Sequence, residues 1–209
     1  MSCVLCGKKN KSTPYKLLIP YIVDEIYVAW CPDCELGYQY PKQPHKSGIE
    51  YMDHRWSSGE GKYMNKKAMI ARARGYLSLI KKGGDLLDFG CGDGTFMREA
   101  EKYFDSVTGM EESGVAIELS GVVSSADKKF DVITMWDVVE HLYDLNVEKI
   151  IEMLKPDGVL YLETANYYKS KIYLYTHYWY FTPVSIIKLF RGKSVEFIKE
   201  SPLMIVKVT

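Results

Sequence analysis

The stretch that decides the fold is Asp85-Leu86-Leu87-Asp88-Phe89-Gly90-Cys91-Gly92-Asp93-Gly94. A short apolar run leads into a glycine-rich turn, and residues 95–104 then follow with a helical pattern. A strand, a glycine turn and a helix in succession are typical of an open α/β sheet that binds a ligand at the strand's carboxyl end. The third glycine comes one residue too early for a nicotinamide-binding Gly-x-Gly-x-x-Gly loop, which argues against a dehydrogenase.

The rest of the sheet is predicted from apolar runs on either side of this stretch. Strands are expected at 106–110, 130–136, 159–163, 194–198 and 204–208, the last two forming a closing hairpin. Helices are expected at 63–82, 147–154 and 183–191, with 155–158 as a tight turn and 49–61 as a loop. Residues 113–119 allow two helical turns, and residues 121–125 allow a stub of a third strand.

Composition limits the kind of protein this is. The chain has 209 residues, 47% of them hydrophobic, and a formal net charge of zero. It therefore holds enough apolar residues for a globular core. It has no apolar run of ~18 residues and no amino-terminal signal pattern, so a cytoplasmic protein without membrane association is expected. Residues 1–83 carry a formal +7 (14 Lys and Arg against 7 Asp and Glu), and the remainder carries −7.

Four of the five cysteines form two Cys-x-x-Cys pairs, Cys3 with Cys6 and Cys31 with Cys34. Two such turns joined by strand-like segments can place four thiolates tetrahedrally around Zn²⁺. The alternative, two local disulfides, is disfavoured because no secretion signal is present. We expect a zinc-ribbon module at 1–44, a linker loop and helix at 45–83, and a cofactor-binding domain at 84–209.

Several segments together resemble the class I S-adenosylmethionine-dependent methyltransferases. They are the 86–94 stretch, Glu111, 130–133, Glu140-His141 and 154–158, and the similarity covers about residues 70–209. The resemblance implies a Rossmann-like, mostly parallel seven-stranded sheet with a reduced third strand. The zinc ribbon in front is similar to that of small-molecule methyltransferases of bacterial polysaccharide and sugar pathways.

The resemblance also implies roles for single residues. Gly90, Cys91, Gly92 and Gly94 border the methionine and ribose parts of the cofactor, and Asp137 belongs to the same site. Asp88 holds the methionine amino group or, alternatively, caps the glycine turn. Glu111, whose carboxylate can accept both hydrogen bonds of a ribose diol, binds the ribose or is a solvated loop acid.

The short interval between Glu111 and Phe130 leaves the adenine contacts open. Ala126 and Asp127 are the candidates in that interval.

The acceptor side is predicted from the segment after 130–136. If this segment is helical, Asp137, Glu140 and His141 share one face. His141 is a candidate general base, or it packs under the cofactor loop and bonds backbone. In ubiquinone-pathway O-methyltransferases a similar acid-x-x-Glu-His segment is linked with a divalent metal, which is a further alternative.

A second acceptor segment is rich in aromatic residues: Tyr167, Tyr168, Tyr173, Tyr175, His177, Tyr178, Trp179, Tyr180 and Phe181. Aromatic faces with polar tips suit sugars or flat rings. The resembling families place a His-aromatic-aromatic-Phe-Thr segment near the acceptor, which makes His177 the second catalytic candidate. The alternative is an aromatic lid that only packs.

The sequence therefore favours methyl transfer from S-adenosylmethionine to a small molecule, with a sugar, nucleotide-sugar or glycan intermediate as the expected acceptor. Structural Zn²⁺ is the second expected cofactor. One alternative is an RNA methyltransferase whose ribbon grips RNA, although the neutral chain disfavours nucleic acid. Another is a non-enzymatic zinc-ribbon protein with a relic cofactor fold.

Overall fold

A computed structural model describes residues 2–9, 14–17, 26–57, 66–120, 127–170 and 176–209. The helices are α1 (His45–Ser57), α2 (Lys66–Leu77), α3 (Thr95–Ala100), α4 (Gly114–Ser120), α5 (Val147–Ile151) and α6 (Pro183–Leu189). The strands are β1 (Tyr15–Leu17), β2 (Ile26–Cys31), β3 (Leu36–Gln39), β4 (Asp85–Phe89), β5 (Ser106–Met110), β6 (Phe130–Trp136), β7 (Leu154–Ala165), β8 (Trp179–Tyr180), β9 (Val195–Lys199) and β10 (Leu203–Val208). Across these segments, every helix falls short of the length and apolarity that crossing a membrane would need.

The main sheet has the order β5-β4-β6-β7-β10-β9. Pairing is parallel from β5 to β7 and antiparallel through β10 and β9. The predicted Rossmann-like sheet and its closing hairpin are thus confirmed, with six strands in the described part rather than seven. The predicted third-strand stub at 121–125 lies outside the described residues. The central apolar residues of β4 and β6 are fully buried, so the carboxyl ends of these strands are held rigidly side by side.

Two predicted irregular segments are regular in the structure. Residues 49–61 were expected to form a loop, but α1 extends to Ser57. Its docking against α4 explains the difference: Asp53 accepts hydrogen bonds from the Ser113 hydroxyl at 2.6 Å and the Val115 amide at 3.3 Å. Tertiary contacts of this kind override weak local propensity.

The predicted tight turn at 155–158 is instead part of β7. Phe130 of β6 pairs with Leu154 of β7, and two residues later Val132 already pairs with Val159. Residues 155–158 of β7 are therefore extra relative to β6 and form an irregularity in the strand pairing. The ion pairs of Lys155 hold this irregularity in place. The Lys155 ammonium pairs with Asp85 at 2.8 Å and with Asp131 at 2.7 Å. The predicted helices 95–104 and 147–154 are also shorter than expected, ending at Ala100 and Ile151.

A second, antiparallel sheet has the order β1-β2-β3-β8. Its first three strands lie near the amino-terminal cysteines, whereas β8 comes from the aromatic segment late in the chain. Cys3, Cys31 and Cys34 share an apolar cluster with Trp179 and Phe181. The front sheet is therefore completed by the strand that follows His177.

Candidate active site

A cavity of about 530 Å³ opens at the carboxyl ends of β4, β5 and β6. This is where parallel α/β sheets bind ligands, and the volume is within the range of small-molecule sites, about 300–1,000 Å³. Its lining comes from the glycine turn, the ends of β5 and β6, helices α1 and α5, and Thr176 and Tyr178 of the aromatic segment. Of the predicted site residues, Gly90, Glu111, Asp137 and His141 line the cavity.

The glycine turn is shaped by backbone that other residues rarely adopt. Gly90, Gly92 and Gly94 have φ values of 75°, 53° and 74°. A Cβ built on Gly90 would lie 2.5 Å from Cγ2 of Val138, so the turn and the loop after β6 meet without room for a side chain. The Gly90 and Cys91 amides donate to the Met110 carbonyl at 2.8 and 3.1 Å, which ties the turn to β5.

Glu111 is half-buried and its carboxylate is held by backbone amides. One oxygen accepts from Gly92 at 2.8 Å, and the other accepts from Glu112 at 2.8 Å and from Ser113 at 3.2 Å. A carboxylate has about four acceptor positions, so these bonds leave capacity for a ligand donor. This geometry disagrees with a freely solvated loop acid.

Asp88 lies behind the turn rather than on the cavity wall. Its side chain is buried and accepts a hydrogen bond from the Thr134 hydroxyl at 2.8 Å, so its observed partner is β6 and not the glycine turn. Burial raises the pKa of Asp88 to about 7, and the charge of Glu111 adds to the rise. Cys91 and Gly94 are likewise buried and shape the turn from behind.

Asp137 stands at the end of β6 with a left-handed φ of 58°, and its carboxylate is fixed by Arg72. The Arg72 guanidinium donates to Asp137 at 2.6 Å and to the buried Glu163 at 2.5 Å. Burial opposes the charged guanidinium, but the two carboxylates together still raise the pKa of Arg72. Tyr76 completes the network by donating to Glu163 at 2.7 Å while its ring stacks on Trp136 at 4.0 Å.

Sequence reasoning missed Arg72, because a basic residue on a helix is most simply a solvated side chain. No local motif distinguishes it from its neighbours. Its position is set by the packing of α2 across the sheet.

His141 ends a short 3₁₀ turn, Val139–His141, and not the α-helix that would place Asp137, Glu140 and His141 on one face. Glu140 points into the protein and is buried, whereas His141 is half-buried and faces the cavity. The His141 Nδ1 lies 3.0 Å from the Thr176 carbonyl oxygen. A carbonyl only accepts, so Nδ1 donates, and Nε2 is the basic nitrogen of the neutral ring.

His177 does not line the cavity. It is buried, its ring centroid lies 4.7 Å from that of His141, and it faces a water-sized pocket that it shares with Glu140 and Thr164. The reason is the backbone: the Tyr178 amide donates to the Glu140 carbonyl at 2.9 Å, which turns the preceding side chain inward. The expectation that His177 faces the acceptor is corrected accordingly.

The alternative of a divalent metal bound by the acid-x-x-Glu-His segment involves a different set of residues in the structure. Glu140, His141 and His177 offer ligand atoms within 4.8 Å of one another, whereas Asp137 is engaged by Arg72. Burial and then the charge of Asp137 raise the pKa of Glu140 to about 8. Among the described residues, Oε2 of Glu140 has no hydrogen-bond partner.

The aromatic segment mostly packs. Trp179, Tyr180 and Phe181 are buried, Tyr167 stacks on Trp30 at 5.2 Å, and Tyr178 is the member that reaches the cavity. Tyr173 and Tyr175 lie outside the described residues. Of the adenine candidates, Ala126 lies outside them as well, and Asp127 is exposed and away from the cavity lining.

Helix α1 forms a wall that the sequence did not reveal. His45, Gly48, Ile49 and Met52 line the cavity. Nε2 of His45 lies 3.0 Å from a carboxylate oxygen of Glu112. The His45 ring stacks on the ring of Tyr143, with 5.1 Å between the ring centroids. Helix α1, which includes residues 49–57 of the predicted loop, therefore encloses one side of the site.

The four amino-terminal cysteines come together away from this cavity. All are free thiols, which excludes the disulfide alternative in this structure. Their sulfur atoms lie within 4.8 Å of one another, and Cys6 and Cys31 are 3.8 Å apart. A tetrahedral zinc–thiolate centre with bonds of ~2.3 Å has edges of ~3.8 Å, so the donor set fits Zn²⁺.

Comparison with known proteins agrees with the fold. The model of a family described as "Methyltransferase domain" matches residues 61–198. The ubiquinone biosynthesis O-methyltransferase of Chelativorans sp. is 33% identical over 105 residues, which are 41% of this chain and 42% of that protein. The one from Bartonella bacilliformis is 28% identical over 134 residues, 54% of each. The chain thus matches about half the length of these curated relatives, or less.

Solved structures show the same architecture. A DhpI complex with S-adenosylhomocysteine has a TM-score of 0.59 at 18% identity, covering 79% of this chain and 96% of that one. The N-methyltransferase NodS of Bradyrhizobium japonicum has a TM-score of 0.60 at 15% identity, covering 77% and 97%. At these identities the likeness concerns the fold.

The buried Asp88 generates a test through pH. Because the folded pKa of Asp88 is raised above the ordinary 3.8 to about 7, its neutral form favours the folded state. This contribution to stability is full below pH 4 and is lost as the pH rises through 7. Asp88→Asn keeps an acceptor for Thr134 without the charge. We expect the variant to be more stable than wild type at pH 8, by on the order of 4 kcal/mol, with the difference vanishing near pH 4.

Urea unfolding at both pH values measures this, and the exposed Asp157→Asn controls for the loss of one charge. A variant that is less stable than wild type at pH 8 would show that Asp88 is ionised and stabilised in the fold.

Proposed function

Because this chain belongs to the methyltransferase-domain family, we propose that it transfers the methyl group of S-adenosylmethionine to a small-molecule acceptor. The observation that carries the proposal is the cavity in which the glycine turn, Glu111 and His141 meet at three adjacent strand ends. Neither an RNA methyltransferase nor a non-enzymatic protein is favoured, because the curated relatives are named as O-methyltransferases of ubiquinone biosynthesis.

The cofactor is assigned to the β4–β5 side of the cavity. The glycine turn lets backbone approach it closely, and the Glu111 carboxylate accepts from its ribose hydroxyls. Asp88 behind the turn and Asp137 on the wall supply negative charge near its cationic amino and sulfonium groups. The cofactor brings an activated methyl group, so the chain's main task is in-line positioning, which can lower a barrier by ~7–11 kcal/mol.

The acceptor is assigned to the side formed by His141, Tyr143 and Tyr178. With Nδ1–H fixed on the Thr176 carbonyl, Nε2 of His141 takes the acceptor's proton as the methyl group arrives. A base of this kind contributes ~10²–10⁴-fold. His177 and Glu140 support the His141 ring from behind and do not touch the acceptor.

A hydroxyl is the acceptor group that this arrangement suits, because an alcohol or phenol must lose a proton when it is methylated. The curated relatives are named as O-methyltransferases of ubiquinone biosynthesis, which supports oxygen as the methylated atom. A sugar-like acceptor rests on the sequence resemblance and on the aromatic rings alone.

We further propose one structural zinc ion held by Cys3, Cys6, Cys31 and Cys34. Four free thiols with near-tetrahedral spacing support it. Such closed sites stabilise folds and do not catalyse.

The role of Glu111 is tested by removing its carboxylate. Hydrogen bonds to a charged acceptor are worth ~1.5–3 kcal/mol, so Glu111→Ala should weaken S-adenosylhomocysteine binding by ~10–150-fold. Isothermal calorimetry measures the dissociation constant. Glu118→Ala, which removes an exposed carboxylate outside the cavity lining, should leave the dissociation constant within about threefold. Equal affinities in wild type and Glu111→Ala would take Glu111 out of the site.

The zinc assignment is tested by metal analysis of protein purified without chelator. Wild type should carry one zinc per chain, and Cys34→Ser should lose it because three thiolates bind far more weakly. Cys91→Ser removes the cysteine outside the cluster and should keep the metal. Zinc-free wild-type protein would contradict the assignment.

A further inference from the structure

The turn that carries Cys31 and Cys34 is bonded directly to the segment after His177. Glu35, directly after Cys34, has a left-handed φ of 52°, and its carbonyl accepts from the Thr182 hydroxyl at 3.0 Å. Its carboxylate accepts from the Tyr168 hydroxyl at 3.1 Å. The Lys188 ammonium donates to the Asp33 carbonyl. The cysteine turn thus contacts Thr182 at the N-cap of α6, Lys188 in the last turn of α6 and Tyr168 early in the aromatic segment.

Strand β3 extends this connection to β8. Gly37 pairs with Tyr180 and Tyr38 pairs with Trp179, and the Gln39 amide donates to the Tyr178 carbonyl at 3.0 Å. A Cβ on Gly37 would lie 3.0 Å from Cβ of Tyr180, so the two strands pack closely. Because β8 has only two residues, its position depends on β3.

From β8 the contacts reach the cavity wall. The Tyr178 amide donates to the Glu140 carbonyl at 2.9 Å, and the Trp179 indole donates to the Leu142 carbonyl at 2.6 Å. The carbonyl of Thr176 fixes the His141 ring. Each residue from 140 to 142 is therefore bonded to the segment that β3 holds in place.

The cofactor side is built differently. The glycine turn and Glu111 are fixed by bonds between β4 and β5, and these bonds involve neither the cysteine turn nor β8. The two sides of one cavity thus depend on different parts of the chain.

We propose that the four-cysteine metal site is a clamp for the acceptor side of the active site. This proposal rests on the proposed methyltransferase function and assigns the zinc a role beyond stabilising the front sheet. Bound metal fixes the turn before Glu35, the turn fixes β3 and β8, and β8 fixes Thr176, which sets the tautomer of His141. Loss of the metal therefore loosens the acceptor wall and leaves the cofactor wall intact.

Hydrogen exchange of the full chain, zinc-loaded and after chelation, tests the clamp. Amides in residues 176–182 should exchange at least 10-fold faster without zinc, whereas amides of β4 and β6 should change less than twofold. In ¹⁵N NMR spectra, His141 should lose the signature of a proton fixed on Nδ1. Binding of S-adenosylhomocysteine should stay within about threefold.

Two variants sharpen the test. Gly37→Ala strains the β3–β8 contact without touching a cysteine, so it should keep zinc and still show faster exchange at 176–182. Lys8→Ala removes an exposed ion pair with Asp33 at 2.9 Å beside the cysteines and should behave as wild type. It controls for surface changes near the site.

The outcomes separate the two claims. Unchanged amide exchange at 176–182 on zinc removal overturns the clamp. Equally accelerated exchange in β4 and β6 also overturns it, because the metal then supports the whole fold. Absence of S-adenosylhomocysteine binding by zinc-loaded wild type overturns the proposed function instead, while the exchange pattern still decides on the clamp.

Discussion

The close contact between the glycine turn and the loop after β6 is the constraint on which the site depends. Gly90 adopts a left-handed φ, and a side chain there would overlap Val138. The turn is the backbone to which we assign the cofactor, and the loop carries Asp137 and His141. Any side chain at position 90 would push these two parts apart, so a single steric requirement sets the width of the cavity and the alignment of its two sides.

The charges around the cavity explain why the fold tolerates buried acids. Asp88, Glu140 and Glu163 are all buried, and burial raises the pKa of each. Arg72 offsets part of this cost by bonding Asp137 and Glu163. A cationic ligand over the strand ends would offset more of it, because nearby positive charge favours ionised carboxylates. The burial of these three carboxyl groups therefore costs stability, of which the network around Arg72 recovers a part.

Local sequence patterns predicted the features that depend on residues close together in the sequence. The strand–glycine–helix succession gave the position of the turn, and the apolar runs gave the strands on either side of it, because both depend on residues close in sequence. Glu111 was found for the same reason, as it directly follows a strand. Three features depend on partners more than 35 residues away in the sequence. They are the inward orientation of His177, the helix at His45–Ser57 and the bonding of Arg72. No short pattern carries that information.

In the proposed reaction, the cavity at the strand ends holds S-adenosylmethionine with its methyl group directed at an acceptor that lies beside His141. A crystal structure with S-adenosylhomocysteine tests it most directly. We expect the ribose hydroxyls on the Glu111 carboxylate, the homocysteine part along the Gly90 turn, and the sulfur directed toward the side of His141 and Tyr178. A cofactor bound elsewhere on the chain, or in this cavity with its sulfur turned toward α4, would contradict it.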